Sequence, residues 1–301
     1  MSEVVRGLRT GTMIERDIAI IGSSGVNARP WTEAFLLAGW RVRALLRKSR
    51  EVASWPRLTT ATLELDDSRT YAPALDGVDV LALITPAHPA QVEREIGLIE
   101  AAREVGVPAV IKLSVLGAEI SAPISPFARW AGRVEDSLRE SGLDHVVLRP
   151  NAYMQNLLRQ RESIVSGSYI EPLGDTAASY IDVSDIAAVA VAVANGPFDG
   201  RALDLTGPAA LTGEQMAATL TSAVGRSVRF VSPPLGQFRA ALTERGMPAW
   251  QVEGLGELYE AVQGGRGPHI AAVSADIAAT IGRAPRSFEQ FARASFGKGD
   301  G

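Results

Sequence analysis

The fold is decided by the stretch Asp17-Ile-Ala-Ile-Ile-Gly22-Ser-Ser-Gly25-Val-Asn-Ala28. A short apolar run predicts a buried strand, and G-x-x-G-x-x-A predicts a tight turn into a helix. Such a turn brings backbone N–H groups and the positive helix end close to a pyrophosphate, so we expect Gly22, Ser24, Gly25 and Val26 to contact a dinucleotide. Alanine is tolerated at the third position because this residue sets helix–strand packing. A strand that ends in a glycine turn is also common in proteins that bind no dinucleotide, so the neighbouring sequence must show whether one binds here.

Further short apolar runs alternate with helical patterns, of which Gln91–Val105 is the clearest. The runs predicted as strands are Arg41–Leu46, Thr60–Leu65, Val80–Thr85, Ala109–Ser114 and His145–Arg149. Alternation of strands and helices predicts an α/β protein of the Rossmann type, with a doubly wound parallel sheet.

The pattern changes after residue 150. A helix is predicted over 152–165, and Asp182 or Ser184 is expected to cap a helix that continues through Ile186–Ala194. A strand near 203–205, a helix near 212–224 and a strand near 227–231 follow. We expect a flexible tail at 1–14, a nucleotide-binding domain at 15–150 completed by about 180–206, and a smaller C-terminal substrate lobe formed by 151–179 and 207–301.

Composition excludes several classes of function. The chain has no cysteine, which excludes disulfides, cysteine-ligated zinc and thiol catalysis, and its three histidines show no metal-ligand spacing. The net charge of −4 gives no basic field for nucleic acid or a membrane surface. No segment has the length or apolarity of a membrane span or a signal peptide, so we expect a cytoplasmic protein. Because cysteines and suitably spaced histidines are missing, we expect no metal ion.

The end of the second predicted strand indicates which dinucleotide binds. Arg47, Lys48 and Arg50 stand where an NAD-dependent enzyme would place an acid for the ribose 2′-hydroxyl. Cations there suit a 2′-phosphate, which favours NADP(H), with Arg47 and Lys48 as contacts. The alternative is that these are solvated surface charges.

The ends of the next two strands add further candidate contacts. Glu64 and Leu65 follow the third strand, where a carboxylate can reach the adenine amino group. Thr85 and Pro86 end the fourth strand, beside the expected cofactor ribose, because ligands of open α/β sheets bind outside the carboxyl ends of the strands.

A series of later motifs resembles the NmrA-like atypical short-chain dehydrogenases/reductases. In order, these are Val110-Ile-Lys-Leu-Ser-Val-Leu-Gly-Ala118, Glu135-Asp-Ser-Leu-Arg-Glu-Ser-Gly142, Leu148-Arg-Pro-Asn-Ala-Tyr-Met-Gln-Asn156, Tyr180-Ile-Asp-Val-Ser-Asp-Ile-Ala187 and Leu205-Thr-Gly-Pro208. The resemblance runs from about Asp17 to Phe296. It implies a Rossmann domain with NADP(H) and a substrate lobe, but not catalysis by itself, since the founding member of the family is a redox-sensing regulator.

The chain departs from the family pattern at its catalytic positions. No tyrosine is followed by lysine four residues later, and Ala131 stands where many relatives carry histidine or lysine. In lacking both proton donors, the chain also resembles the angucyclinone ketoreductases of antibiotic biosynthesis.

Three residues are predicted to be catalytic. Ser114 ends the fifth strand, where short-chain reductases place their serine; the alternative is a serine that satisfies its own backbone. Lys112 shares its strand face and is expected to touch the cofactor in place of the missing lysine; the alternative is a paired structural lysine. Tyr153 matches a family position near the nicotinamide, and its alternative is packing within the lobe. Asn151 is a further cofactor contact through its amide. His145 and His269 are interpreted as structural residues. His88 is interpreted as a loop residue, and the alternative is a catalytic residue near the mouth of the pocket.

These residues predict an NADPH-dependent reductase that transfers hydride to a carbonyl of a bulky aromatic molecule, of the polyketide or quinone type. With both usual proton donors missing, we hypothesise that a substrate hydroxyl beside the ketone stabilises the alkoxide and water delivers the proton. The alternatives are a non-catalytic NADP(H)-binding regulator and, with less support, an epimerase or dehydratase.

Overall fold

A computed structural model describes residues 16–22, 25–47 and 55–297 of the chain. Short aliphatic runs form its strands: β1 Asp17–Ile21, β2 Arg41–Leu46, β3 Leu58–Thr62, β4 Val80–Leu83, β5 Ala109–Leu113, β6 Asp144–Pro150, β7 Ser168–Ile170, β8 Ala202–Leu205 and β9 Arg229–Val231. Seven of these described strands form one parallel sheet in the order β3-β2-β1-β4-β5-β6-β8. The predicted doubly wound parallel sheet is confirmed. The predicted tail at 1–14 lies outside the described residues.

Helices cover both faces of the sheet. They are α1 Ala28–Leu37, α2 Tyr71–Leu75, α3 Gln91–Glu104, α4 Pro126–Glu140, α5 Arg161–Ser166, α6 Val183–Ala194, α7 Gly213–Val224, α8 Leu235–Glu244, α9 Ala249–Gln263, α10 Asp276–Ile281 and α11 Phe288–Phe296. Helices α1, α6 and α10 pack together on one face, and α2, α3 and α4 on the other. Asp182, rather than Ser184, caps α6 by accepting the N–H of Ser184 at 2.8 Å. Every helix that the structure describes is too short or too polar to cross a bilayer.

A separate core lies in the C-terminal part of the chain. Helices α7 and α11 pack against each other, and β7 pairs with β9 beside them. Phe288, Phe291 and Met216 are buried between these elements. By contrast, α6 and β8, from the stretch 183–205, join the large sheet. The division into a nucleotide-binding domain and a substrate lobe stays a prediction.

The fourth and fifth strands end earlier than predicted, at Leu83 and Leu113 instead of Thr85 and Ser114. Two other predicted elements differ more. The third strand was expected over Thr60–Leu65 but spans Leu58–Thr62. The ladder stops because, beyond Leu63, the N–H of Glu64 donates to the hydroxyl of Thr70 instead of to β2. The helix expected over 152–165 begins as a 3-10 helix, Met154–Gln160, and becomes α-helical only in α5.

Two buried carboxylates fasten the strand ends to the helices on one face of the sheet. Glu95 of α3 is 0% exposed; it lies 2.7 Å from the ammonium of Lys112 in β5 and accepts hydrogen bonds from Thr85 and Gln91. The other is Glu135 of α4, which is 2% exposed. It accepts a hydrogen bond from the hydroxyl of Ser114 and one from the guanidinium of Arg149 in β6, at 2.6 Å. Because a buried charge is costly without a partner, each carboxylate favours the position in which it contacts its partner.

Replacement of Lys112 by methionine is expected to lower the free energy of unfolding by about 3–5 kcal/mol, because it leaves the Glu95 carboxylate buried without its cation. The double variant Lys112→Met/Glu95→Gln, which removes both charges, should recover most of that loss. Chemical denaturation of the two proteins measures the difference.

The matched control is Arg139→Ala, which breaks the exposed pair between Arg139 and Asp136. The free energy of unfolding of this control should stay within about 1 kcal/mol of the wild-type value. If Lys112→Met were no less stable than this control, the buried pair would not hold the sheet edge as described.

Candidate functional site

A groove of about 640 Å³ opens at the carboxyl ends of β1 to β4. It contains eight of the residues predicted to bind the cofactor: Gly22, Gly25, Val26, Arg47, Glu64, Leu65, Thr85 and Pro86. They converge because parallel strands all end at the same edge of the sheet. Two other predicted contacts, Ser24 and Lys48, lie outside the described residues.

Gly22 and Gly25, the described residues on either side of the turn after β1, leave room for close approach of a ligand. Gly22 has φ +75°, in the left-handed region that glycine adopts without strain, and its N–H donates to the carbonyl of Leu45 at 2.7 Å. A Cβ built on Gly25 would meet no atom within 4 Å, so the chain leaves open space there. No side chain caps the N-terminus of α1, and its first turn holds no acid. The groove therefore offers a positive helix end to an anion.

Charged side chains line the outer part of this groove. Arg47 is the first residue after β2 and is exposed. Arg94 of α3 also lines the groove, where it is paired with Asp66. Glu64 follows β3, so its carboxylate does not occupy the position after β2, where Arg47 stands. This distribution suits a 2′-phosphate beside Arg47 and adenine beside Glu64.

A second cavity, of about 430 Å³, adjoins the groove. Its walls are mainly aliphatic and aromatic, from the loop after β5, α4, α9 and the segment 268–271. Polar side chains on this wall are Ser125, Asn151, Tyr153, Asn156, Gln251 and His269, together with Glu171, Tyr180 and Tyr259. The two cavities meet along the segment Pro86-Ala87-His88, since Ala87 faces the second cavity and its neighbours face the groove.

Tyr153 stands between the two cavities. It lines the second cavity, and its hydroxyl accepts a hydrogen bond of 3.3 Å from the amide of Asn27, which lines the groove. The other amide atom of Asn27, Oδ1, is buried without a partner. Burial raises the pKa of Tyr153 to about 12, and the bond from Asn27 lowers it by a smaller amount. Tyr153 is therefore a neutral phenol at physiological pH.

Asn151 also lines the second cavity, but its amide is already engaged. The Nδ2 group donates to the hydroxyl of Ser179 at 2.8 Å and to the carbonyl of Ile270 at 2.7 Å. Both amide hydrogens are therefore engaged, one by Ser179 and one by Ile270 in the segment 268–271. The predicted contact between this amide and a cofactor stays a prediction.

Lys112 and Ser114, predicted as catalytic, line neither cavity and are buried, Lys112 in an ion pair with Glu95 and Ser114 in a hydrogen bond to Glu135. Lys112 is 1% exposed, and its ammonium also donates to the carbonyl of Leu113 at 2.7 Å. This is the paired arrangement that the sequence left open as the alternative for Lys112. Ser114 bonds to a carboxylate rather than to its own backbone.

Sequence reasoning missed several residues of the second cavity. His269, interpreted as structural, lines the cavity, and burial lowers its pKa. Its ring lies 2.6 Å from the place where a Cβ on Gly117 would stand, so the turn after β5 can approach only because Gly117 has no side chain. His88, by contrast, lines the groove and not the second cavity. Its Nδ1 accepts the N–H of Ala90 at 3.0 Å.

The other missed residues form a cluster of three tyrosines around Glu171. The hydroxyl of Tyr259 donates to Glu171 at 2.8 Å, Tyr169 also donates to this carboxylate, and Tyr180 lies near it. Burial and the neighbouring carboxylate raise the pKa of all three phenols. Within the described residues, no group of three or more acidic or histidine side chains is arranged to hold a metal ion.

Known proteins share this architecture. An NAD(P)H azoreductase from Xenophilus azovorans is 34% identical over 282 residues, which cover 92% of this chain and 97% of the azoreductase. The structure of the NADPH-dependent quinone oxidoreductase QOR2 from Escherichia coli in complex with NADPH superposes with a TM-score of 0.79 at 24% identity, covering 93% of this chain and 99% of QOR2. Triphenylmethane reductase from Citrobacter sp., complexed with NADP(H), gives a TM-score of 0.79 at 19% identity, covering 92% and 99% of the two chains.

The predicted cofactor agrees with the nicotinamide dinucleotides named for these three proteins. The family model described as the NmrA-like family matches residues 15–292, which is nearly the whole chain. The resemblance predicted from the sequence is confirmed: this chain belongs to the NmrA-like family.

Proposed function

We propose that this protein is an NADPH-dependent reductase of bulky aromatic molecules. The observation that carries the proposal is the pair of adjoining cavities: a glycine-lined groove with an arginine at its rim, and a mainly apolar cavity that meets it beside Tyr153. An apolar cavity of this kind suits flat aromatic rings. The azoreductase, the quinone oxidoreductase and the dye reductase among its relatives support the same class of reaction.

The residues of the groove fit NADP(H). The turn at Gly22 and Gly25, with the open N-terminus of α1, would hold the pyrophosphate; Arg47 would bind the 2′-phosphate. Glu64 would accept the adenine amino group, and Thr85 and Pro86 would lie against the ribose. When bound, NADPH supplies a hydride; the protein supplies position and electrostatic stabilisation.

The finer part of the proposal is the acceptor, an aromatic ketone or quinone of the kind found in polyketides. Ser114 and Lys112 are both bonded to buried carboxylates, which supports a reaction that does not depend on either as a proton donor. Tyr153 is the phenol that adjoins both cavities, but a phenol with a pKa of about 12 is a weak acid. A hydroxyl next to the ketone of the substrate would stabilise the developing alkoxide by an internal hydrogen bond, and water would deliver the proton.

Arg47→Ala is expected to lower kcat/KM for NADPH by about 10–100-fold and to leave kcat/KM for NADH unchanged, because it removes a charged hydrogen bond to the 2′-phosphate alone. Steady-state oxidation of both dinucleotides with one quinone measures this ratio.

Arg69→Ala is the matched control, since Arg69 is exposed, lies outside the groove and is paired with Asp67. This control should change neither kcat/KM for NADPH nor kcat/KM for NADH. An equal loss with NADPH and NADH in Arg47→Ala would show that Arg47 does not read the 2′-phosphate.

Tyr153→Phe is expected to retain at least about a tenth of the wild-type kcat on a ketone with a neighbouring hydroxyl, whereas general acid catalysis would contribute about 10²–10⁴-fold. The same ketone with that hydroxyl methylated should be reduced poorly by both proteins. Because Tyr153 keeps its proton up to a pKa of about 12, its ionisation should cause no fall in kcat between about pH 7 and pH 9.

The Kd for NADPH is measured alongside, to confirm that the variant still binds cofactor. A loss of kcat above about 100-fold with an unchanged Kd would assign the proton to Tyr153 and overturn substrate assistance.

A non-catalytic regulator that senses NADP(H) is the second candidate. It is favoured by the burial of Lys112 in an ion pair and of Ser114 in a hydrogen bond to Glu135, which leaves neither free to act on a substrate. Oxidation of NADPH by a panel of quinones and hydroxylated aromatic ketones separates the two candidates. Turnover with an NADPH preference supports the reductase, whereas tight NADPH binding without turnover across the panel supports the regulator.

A further inference from the structure

The carboxylate of Glu171 lies on the wall of the apolar cavity, directly after β7. Three elements bring a phenol to it: Tyr169 from β7, Tyr180 from the segment before α6, and Tyr259 from α9. Tyr169 and Tyr180 are buried, and Tyr259 and Glu171 are half-buried. The cluster therefore holds a negative charge at the cavity surface rather than in bulk water.

Glu171 decides the charge of this cavity. Among the described residues that line it, no other side chain is an aspartate, glutamate, lysine or arginine. Burial lowers the pKa of His269, so this histidine is neutral at pH 7 and adds no positive charge. A ligand in the cavity therefore meets one uncompensated carboxylate among apolar walls, where low polarity strengthens the interaction.

The carboxylate also has acceptor capacity to spare. Two carboxylate oxygens offer about four acceptor positions, and two of the phenols donate one hydrogen each. Tyr259 donates to Oε1 and Tyr169 to Oε2. The acceptor positions left over are available to a donor that enters the cavity.

We infer that Glu171 determines substrate specificity: it binds the hydrogen-bond donor or cationic end of an aromatic substrate and repels aromatic anions such as sulfonates. This inference rests on the proposed function only in taking the apolar cavity as the substrate site. The donor end is a phenolic hydroxyl or a protonated amine, both of which can occupy the free acceptor position of Glu171. An anionic group would bring a second negative charge to a wall that holds no cation.

The test uses three naphthoquinones that carry an ammoniomethyl, a methyl or a sulfonate group at the same ring position. Their Kd values are measured by titration of the protein loaded with NADP⁺, and their kcat and KM values with NADPH. The wild type should bind the ammonium compound at least about tenfold more tightly than the methyl compound, and the sulfonate at least about tenfold more weakly, as for hydrogen bonds to charged groups.

The variant Glu171→Gln removes the charge and keeps an acceptor for the tyrosines. It should reduce both differences in Kd to less than about threefold, because the remaining hydrogen bonds are between neutral groups. Tyr259→Phe removes one phenol hydroxyl but keeps the carboxylate, so the order of the three compounds should persist. A purely structural cluster would instead change all three Kd values by a common factor, and that result would overturn the inference.

The wild-type titration is decisive even if Glu171→Gln does not fold, since equal Kd values for the ammonium and sulfonate compounds overturn the inference without any variant. Failure of the proposed function gives a different result. Binding in the predicted order with no oxidation of NADPH would sustain the role of Glu171 and refute the reductase. Turnover of all three compounds with equal KM values would sustain the reductase and refute the role of Glu171.

Discussion

The structure depends on the requirement that a charge removed from water must meet a partner of opposite sign. Glu95 and Glu135 meet theirs across the boundary between the sheet and the helices, so α3 and α4 are tied to the ends of β4, β5 and β6. The ties lie directly beneath the edge where parallel strands end. The loops that leave this edge start from fixed positions, and both cavities are built from those loops.

This use of polar groups leaves few of them for chemistry. Ser114, Lys112 and the amide of Asn151 serve the framework, and the walls of the second cavity are mostly apolar as a result. The polar groups that line the second cavity include Tyr153 at its junction with the groove, Glu171 with Tyr180 and Tyr259, and the uncharged side chains of Asn156 and Gln251. For a hydride transfer, position and exclusion of water do most of what a protein must supply, because the cofactor carries the reactive bond. A sparse cavity is compatible with that demand.

Elements governed by local pattern were predictable from the sequence, and contacts made by tertiary packing were not. The strands and the glycine turn follow from apolar periodicity, and sheet geometry alone brings Gly22, Arg47, Glu64 and Thr85 to one edge. A buried lysine suits a cofactor or a carboxylate equally well, so Lys112 stayed ambiguous until its neighbour Glu95 was known. Glu171 and Tyr259 are 88 positions apart, and no pattern links residues at that distance. His269 was missed for the same reason, because its approach to Gly117 depends on packing.

The lining of the two cavities is divided unequally along the chain. Among the described residues, the groove draws on positions between 21 and 94 and the second cavity on positions from Ala87 to Ile270, so the two ranges overlap only in the loop after β4 and the start of α3. Mutations beyond residue 94 can therefore alter what enters the second cavity without touching the groove. Such an arrangement would let the second cavity diverge during evolution while the residues of the groove are inherited intact. It also marks the loop after β4 as a crossover point for chimaeras that join the first part of this chain to the remainder of a relative.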